Sequence, residues 1–136
     1  MAPRTGALQV NDSHDVARIL LGCIRLFNGG VALIAPQLLA RNIGIDPDLT
    51  PGALYVFRMF GIRTVLIAAD LLFSTGRRQA DAIDQAPIIH ASDTIAAALA
   101  ASSGKLPGRA GLTITIISAV NTALALYARQ GVHRSR

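Results

Sequence analysis

The chain has no glutamate and no tryptophan, one lysine and one cysteine, and charged residues make up only 15% of it. Each shortage excludes something. A single cysteine, Cys23, allows no intramolecular disulfide and no CxxC redox pair. The calculated isoelectric point of 10.7 points toward nucleic acid. With 4% aromatics and no lysine-rich arm, however, the chain lacks the platforms on which bases stack, and nucleic acid is not an expected partner. Ordinary soluble chains carry roughly 25% charged residues. A domain of 136 residues has a large surface for its volume and needs more polar side chains than this to cover it in water. The composition favours lipid as the solvent.

Apolar residues account for 51% of the chain, and its length accommodates one domain, residues 1–136. All eight acids are Asp and twelve of the thirteen bases are Arg, a bias that suggests a GC-rich bacterial genome. The start, "MAPRTGALQVNDSHD", lacks the apolar centre and small-residue cleavage site of a signal peptide, so the first hydrophobic segment is expected to remain as an anchor.

Four segments approach the roughly 20 residues that span a bilayer. They cover about 16–40, 52–73, 82–101 and 111–129, with Asp15 as the expected N-cap of the first and Pro36 in its last turns. "IDPDLTPG" and "SSGKLPGR" read as turns, with Asp46 and Asp48 serving the first of them. Short links make neighbours antiparallel. The expected fold is therefore all-α, a four-helix transmembrane bundle. Arg4, Arg77, Arg78, Arg129, Arg134 and Arg136 sit on one side, against Arg41, Lys105 and Arg109 on the other. The positive-inside rule then places both termini in the cytoplasm, with the protein integral to the bacterial plasma membrane.

Within lipid, helices associate through small residues and polar contacts. Arg18, Gly22, Arg25, Gly29, Ala32 and Pro36 form such a stripe on the first segment, and Thr115, Ser118, Thr122 and Ala125 on the fourth, with Asn121 beside them. His90, Asp93 and Ala97 share a face of the third, and Arg63, Ile67 and Asp70 a face of the second. At 1.5 Å per residue, Arg25, Arg63, His90 and Asp93 all lie roughly 12–17 Å from the expected cytoplasmic ends, close to the midplane. Asn28 and Asn121 lie near that level, while Arg18 and Asp70 share a shallower one.

Charges at such depth cost roughly 2.5–3.5 kcal/mol each and are expected to turn inward and pair. Arg63 is expected to face Asp93, and Asp70 to meet Arg18, while Arg58 snorkels to the interface. With two arginines to one aspartate, one positive charge is left for an anion, a lipid head group, water or a partner protein. Three roles follow for the layer: fixing helix register, binding a quinone or lipid-like ligand, or carrying protons for coupled transport.

Other chemistry is set aside. One intramembrane histidine is too few for a metal site or for haem ligation, so no metal and no cofactor are expected. The absence of glutamate removes the embedded carboxylate of small multidrug exporters. No nucleophile–base pair is visible by spacing; Ser92 is expected to bond a backbone carbonyl, and Cys23 to be a small buried hydrophobe.

The motifs "RILLGCIRLFNGG" with a proline after it, "FRMFGIRTVLIAADLL" and "IIHASDTIAAAL", with the Arg-x-x-Gly-x-Arg of Arg58, Gly61 and Arg63, make the chain resemble small four-helix membrane proteins of the DoxX-like kind and neighbouring uncharacterised families. The likeness spans nearly the whole chain. It implies a membrane bundle and an association with membrane redox complexes and quinones; no catalytic residue carries over from it. The balance of these features points to a non-enzymatic structural or accessory membrane component, self-associating or bound to another membrane protein.

Overall fold

The computed structural model describes residues 10, 12–44, 46, 48 and 51–134. Arg4 and Arg136, which enter the orientation expectation, lie outside the described residues, as does part of the "IDPDLTPG" turn. Five helices form among the described residues: α1 (Ser13–Ile34), α2 (Pro36–Asn42), α3 (Pro51–Phe73), α4 (Gly76–Ser102) and α5 (Gly108–Arg134). The all-α expectation holds.

Helix α1 begins earlier than hydropathy alone indicates. Asp12, not Asp15, is its N-cap: the Asp12 carboxylate accepts from the backbone N–H groups of His14 (2.8 Å) and Asp15 (3.0 Å), satisfying donors that have no partner in the first turn. The single helix expected over 16–40 is broken. A residue before proline is pushed out of the α region. Ala35 accordingly leaves the helix (φ −132°, ψ 58°), and the chain restarts as α2 with Pro36 in its first turn, where a missing N–H costs nothing.

The third expected segment begins six residues early, at Gly76. Its first turns are polar, "GRRQAD", and hydropathy stops there although backbone hydrogen bonding does not. Arg78 donates to Asp70 across the two-residue link (2.8 Å), which ties the start of α4 to the end of α3. In the α2–α3 loop Asp46 accepts from the Asp48 N–H (2.9 Å), the turn role expected of it.

The four long helices pack unequally. Helix α1 lies along α3, α4 along α5, and α1 along α5, whereas α3 and α4 touch little despite being consecutive. Glycines set the close seams. A Cβ at Gly61 would come within 2.6 Å of the Leu33 backbone nitrogen and 2.9 Å of the Gly29 carbonyl, so α3 and α1 meet backbone to backbone. Gly111 likewise leaves room for the Ala101 side chain, and Gly131 for that of His14. His14 also stacks on Tyr127 (4.4 Å between ring centroids), its Nδ1 lying 2.7 Å from the Tyr127 carbonyl, so α1 begins where α5 ends. The core near that end is small and aliphatic: Ala17, Leu21, Leu71, Ile83, Ala86, Ala125 and Ala128.

Many large apolar side chains face outward. Phe27 is 72% exposed, Ile34 82% and Ile88 70%. Two stretches, Ser13–Ile34 and Gly108–Val132, are long and apolar enough to cross a membrane. Helices α3 and α4 carry Arg58, Arg63 and Asp70, and Arg77, Arg78, Asp81, Asp84 and Asp93, and do not reach that mark.

Candidate functional site

Arg25 stands on the stripe of α1 that turns inward. Arg18, Gly22, Arg25, Gly29, Ala32 and Pro36 are all buried, as the three-and-four spacing requires. A guanidinium only donates hydrogen bonds, so burial obliges its surroundings to accept. Arg25 Nη2 donates to Asp93 Oδ2 (3.0 Å), Nε to His90 Nε2 (3.1 Å) and Nη1 to Thr64 Oγ1 (3.4 Å). One side chain of α1 thereby reaches α3 and α4 together.

Arg25 Nη2 also lies against His90 Nδ1. A neutral imidazole offers one acceptor and one N–H, so only one of the two ring nitrogens can accept from Arg25 at a time. With both nitrogens turned toward the guanidinium and the ring 1% exposed, His90 has no free edge for an incoming substrate. The arrangement suits a fastener rather than a general base. It extends to α5 through Thr94, which donates to the His90 carbonyl (2.8 Å) and lies 3.1 Å from the Thr122 hydroxyl.

Asp93 is shared. Its Oδ1 takes a second guanidinium, Arg63 Nη2, at 3.4 Å. The two arginines differ sharply: Arg25 is 3% exposed and Arg63 55%. Arg63 leans over the Phe60 ring, 5.8 Å from its centroid. The expected Arg63–Asp93 contact therefore exists, but Arg25 is the shorter and more deeply buried partner.

Other expected residues fall elsewhere. Asp70 does not meet Arg18. It pairs with Arg78 and accepts from Ser74 (3.1 Å), both within nine residues of it in sequence. Arg18, buried, donates instead to the Leu71 carbonyl (2.6 Å) and to Asp15 (3.4 Å). Arg58 is exposed, and Asn28 is half-buried beside the layer without a hydrogen bond to it. Asn121 is buried, and its Oδ1 has no hydrogen-bond partner among the described residues. Cys23 is exposed rather than buried, being about 100° around α1 from Gly22 and so off the inward stripe. The inward face of α3 is Gly61, Thr64, Ala68 and Leu71, not Arg63, Ile67 and Asp70, which flank it. Thr64 went unread in the sequence although it lies on a small-residue stripe of the kind used for α1.

A cleft of about 410 Å³ opens between α3 and α4, lined by Ile67, Asp70, Arg77, Arg78, Asp81, Ala82, Gln85 and Ile89. It lies where these helices fail to pack. One turn beyond Ile67 and Ile89, toward the opposite end of the helices, stand Arg63 and Asp93.

Set against protein-family models, curated proteins and solved structures, the chain matches none.

Proposed function

We propose that the chain is an integral membrane protein of the bacterial plasma membrane, a four-helix transmembrane bundle of α1, α3, α4 and α5 with both termini in the cytoplasm. Its role is structural or accessory, as a self-associating unit or as a component beside another membrane protein, of the general kind seen in DoxX-like proteins. The observation that carries this reading is the bonding of Arg25. A guanidinium 3% exposed is held by Thr64 of α3 and by His90 and Asp93 of α4, so the most costly group in the bundle is spent on joining helices. The exposed apolar faces support lipid as the surroundings. The sequence excess of Arg4, Arg77, Arg78, Arg129, Arg134 and Arg136 over Arg41, Lys105 and Arg109 supports the orientation.

The test has two parts. Membranes from expressing cells washed with alkaline carbonate should retain the chain, and reporters fused to either end should both read as cytoplasmic. In detergent, Asp93→Ala should lower the thermal midpoint and the recovery of any co-purifying partner or oligomer. Release of the chain by carbonate as a compact monomer would overturn the membrane reading.

A second reading, an intramembrane site for a quinone or lipid-like ligand, is favoured by one feature the fastener leaves unused: the α3/α4 cleft, with Arg63 one turn past its inner end.

A further inference from the structure

We propose that the α3/α4 cleft binds an organic carboxylate with an apolar body, its carboxylate on Arg63 and its body between Ile67 and Ile89. The inference deepens the ligand-site reading and rests on the proposed lipid setting.

Charge leads to this class of ligand. One turn past the inner end of the cleft, beyond the residues that line it, two guanidiniums share one carboxylate, and Arg25 holds it more closely, at 3.0 Å against 3.4 Å for Arg63. One positive charge is surplus, and it belongs to the group that is more than half exposed. Only Nη2 of Arg63 is engaged, which leaves most of a planar fork suited to bidentate recognition of a carboxylate. In apolar surroundings such a cation gains from a counter-ion far more than from a neutral guest. A quinone would leave the charge in place. A phosphate dianion would exceed the surplus. A monoanion matches the count.

Shape leads to the rest of the molecule. The volume of about 410 Å³ falls within the roughly 300–1,000 Å³ typical of small-molecule sites. Ile67, Ala82 and Ile89 give it apolar walls, and its charged lining pairs off, Arg77 with Asp81 and Arg78 with Asp70, so the charge that selects a ligand is the one on Arg63. A membrane fatty acid and a soluble organic acid share this chemistry.

The test uses the full chain in detergent, with radiolabelled octanoate as probe and octanol and octylamine as bodies of equal length without the negative charge. Octanoate should bind saturably and the other two should not. Arg63→Gln should weaken octanoate binding about tenfold or more, as expected for loss of a charge-assisted contact. Arg63→Lys should restore part of it, and Ile67→Trp, which fills the cleft without altering charge, should abolish it. Circular dichroism establishes that each variant keeps its helix content. Affinity that climbs from octanoate to oleate identifies a membrane fatty acid as the source; affinity that levels off identifies a soluble acid. Equal binding of octanol and octanoate, or octanoate binding unchanged by Arg63→Gln, overturns the proposal. If carbonate-washed membranes retain the chain and octanoate still fails to bind, this inference alone is lost; if the chain is washed out, the lipid reading beneath it is lost as well.

Discussion

On its side toward α1, helix α3 presents Gly61, where a Cβ would sit 2.6 Å from a backbone nitrogen of the neighbouring helix. Toward α4 the same helix presents Arg63 and Asp70 and hardly packs at all. The first seam is held by closeness: small residues let two backbones approach, and dispersion acts over many atoms at once. The second is held by reach, because long side chains span a gap that the backbones do not close. One helix thus shows that small residues set where elements touch, while charges set what is tolerated where they do not.

The two kinds of seam should respond differently to substitution. The largest effect is expected at Asp93, which holds Arg25 of α1 and Arg63 of α3. Asp93→Ala leaves Arg25 buried without its carboxylate, and breaking a buried ion pair from one side costs about 3–5 kcal/mol. A thermal scan in detergent should show a large drop in midpoint. Adding Arg25→Met to Asp93→Ala should recover part of it, since the orphaned charge is then gone; a double variant no better than the single would argue against an electrostatic origin.

Next comes the tight seam. Gly61→Leu forces a side chain into backbone that cannot yield, at about 1–3 kcal/mol for overpacking. Gly30→Leu supplies the contrast, because a Cβ there meets nothing within 4 Å. It should be neutral or stabilising by up to about 1 kcal/mol, since glycine is a poor helix former. Similar midpoints for these two variants would erase the distinction between seam and surface.

Smaller still is Arg63→Gln. The side chain is more than half exposed and shares its acid, so without ligand its removal should cost no more than about 1 kcal/mol. Arg25→Gln measured beside it should cost clearly more. Equal losses would mean that burial does not separate the two arginines. The smallest effect is expected at the charged end, where Arg78 is 75% exposed: Arg78→Ala should shift stability by about 0–1 kcal/mol, and the shift should shrink as salt is added.

Much of this was legible because helical spacing is geometry that the chain carries with it. The inward stripe of α1 from Arg18 to Pro36, the helical class, and the meeting of Arg25, Arg63, His90 and Asp93 at one level all follow from residues three and four apart on antiparallel rods. Even Cys23 lay off that stripe; hydrophobicity was the wrong guide to it in a bundle whose outer face is itself apolar. Asp70 was misassigned because level was weighed above proximity. Arg18 and Asp70 stand at similar heights, but Arg78, eight residues on, is carried back to Asp70 by the reversal at residues 74–75.

By itself the sequence determined the period of each helix, the inward stripe of α1 and the break before Pro36 that hydropathy passed over, since these follow from local backbone sterics and side-chain direction. Tertiary structure alone decided which arginine is buried, which acid it finds, and that α3 and α4 stand apart while α1 and α3 close together. Those outcomes depend on the rotation of each helix about its axis relative to its neighbours. That rotation is fixed by where neighbours can approach closely, a backbone at Gly61 and side chains at Gly111 and Gly131, and such contacts exist only once distant parts of the chain have met.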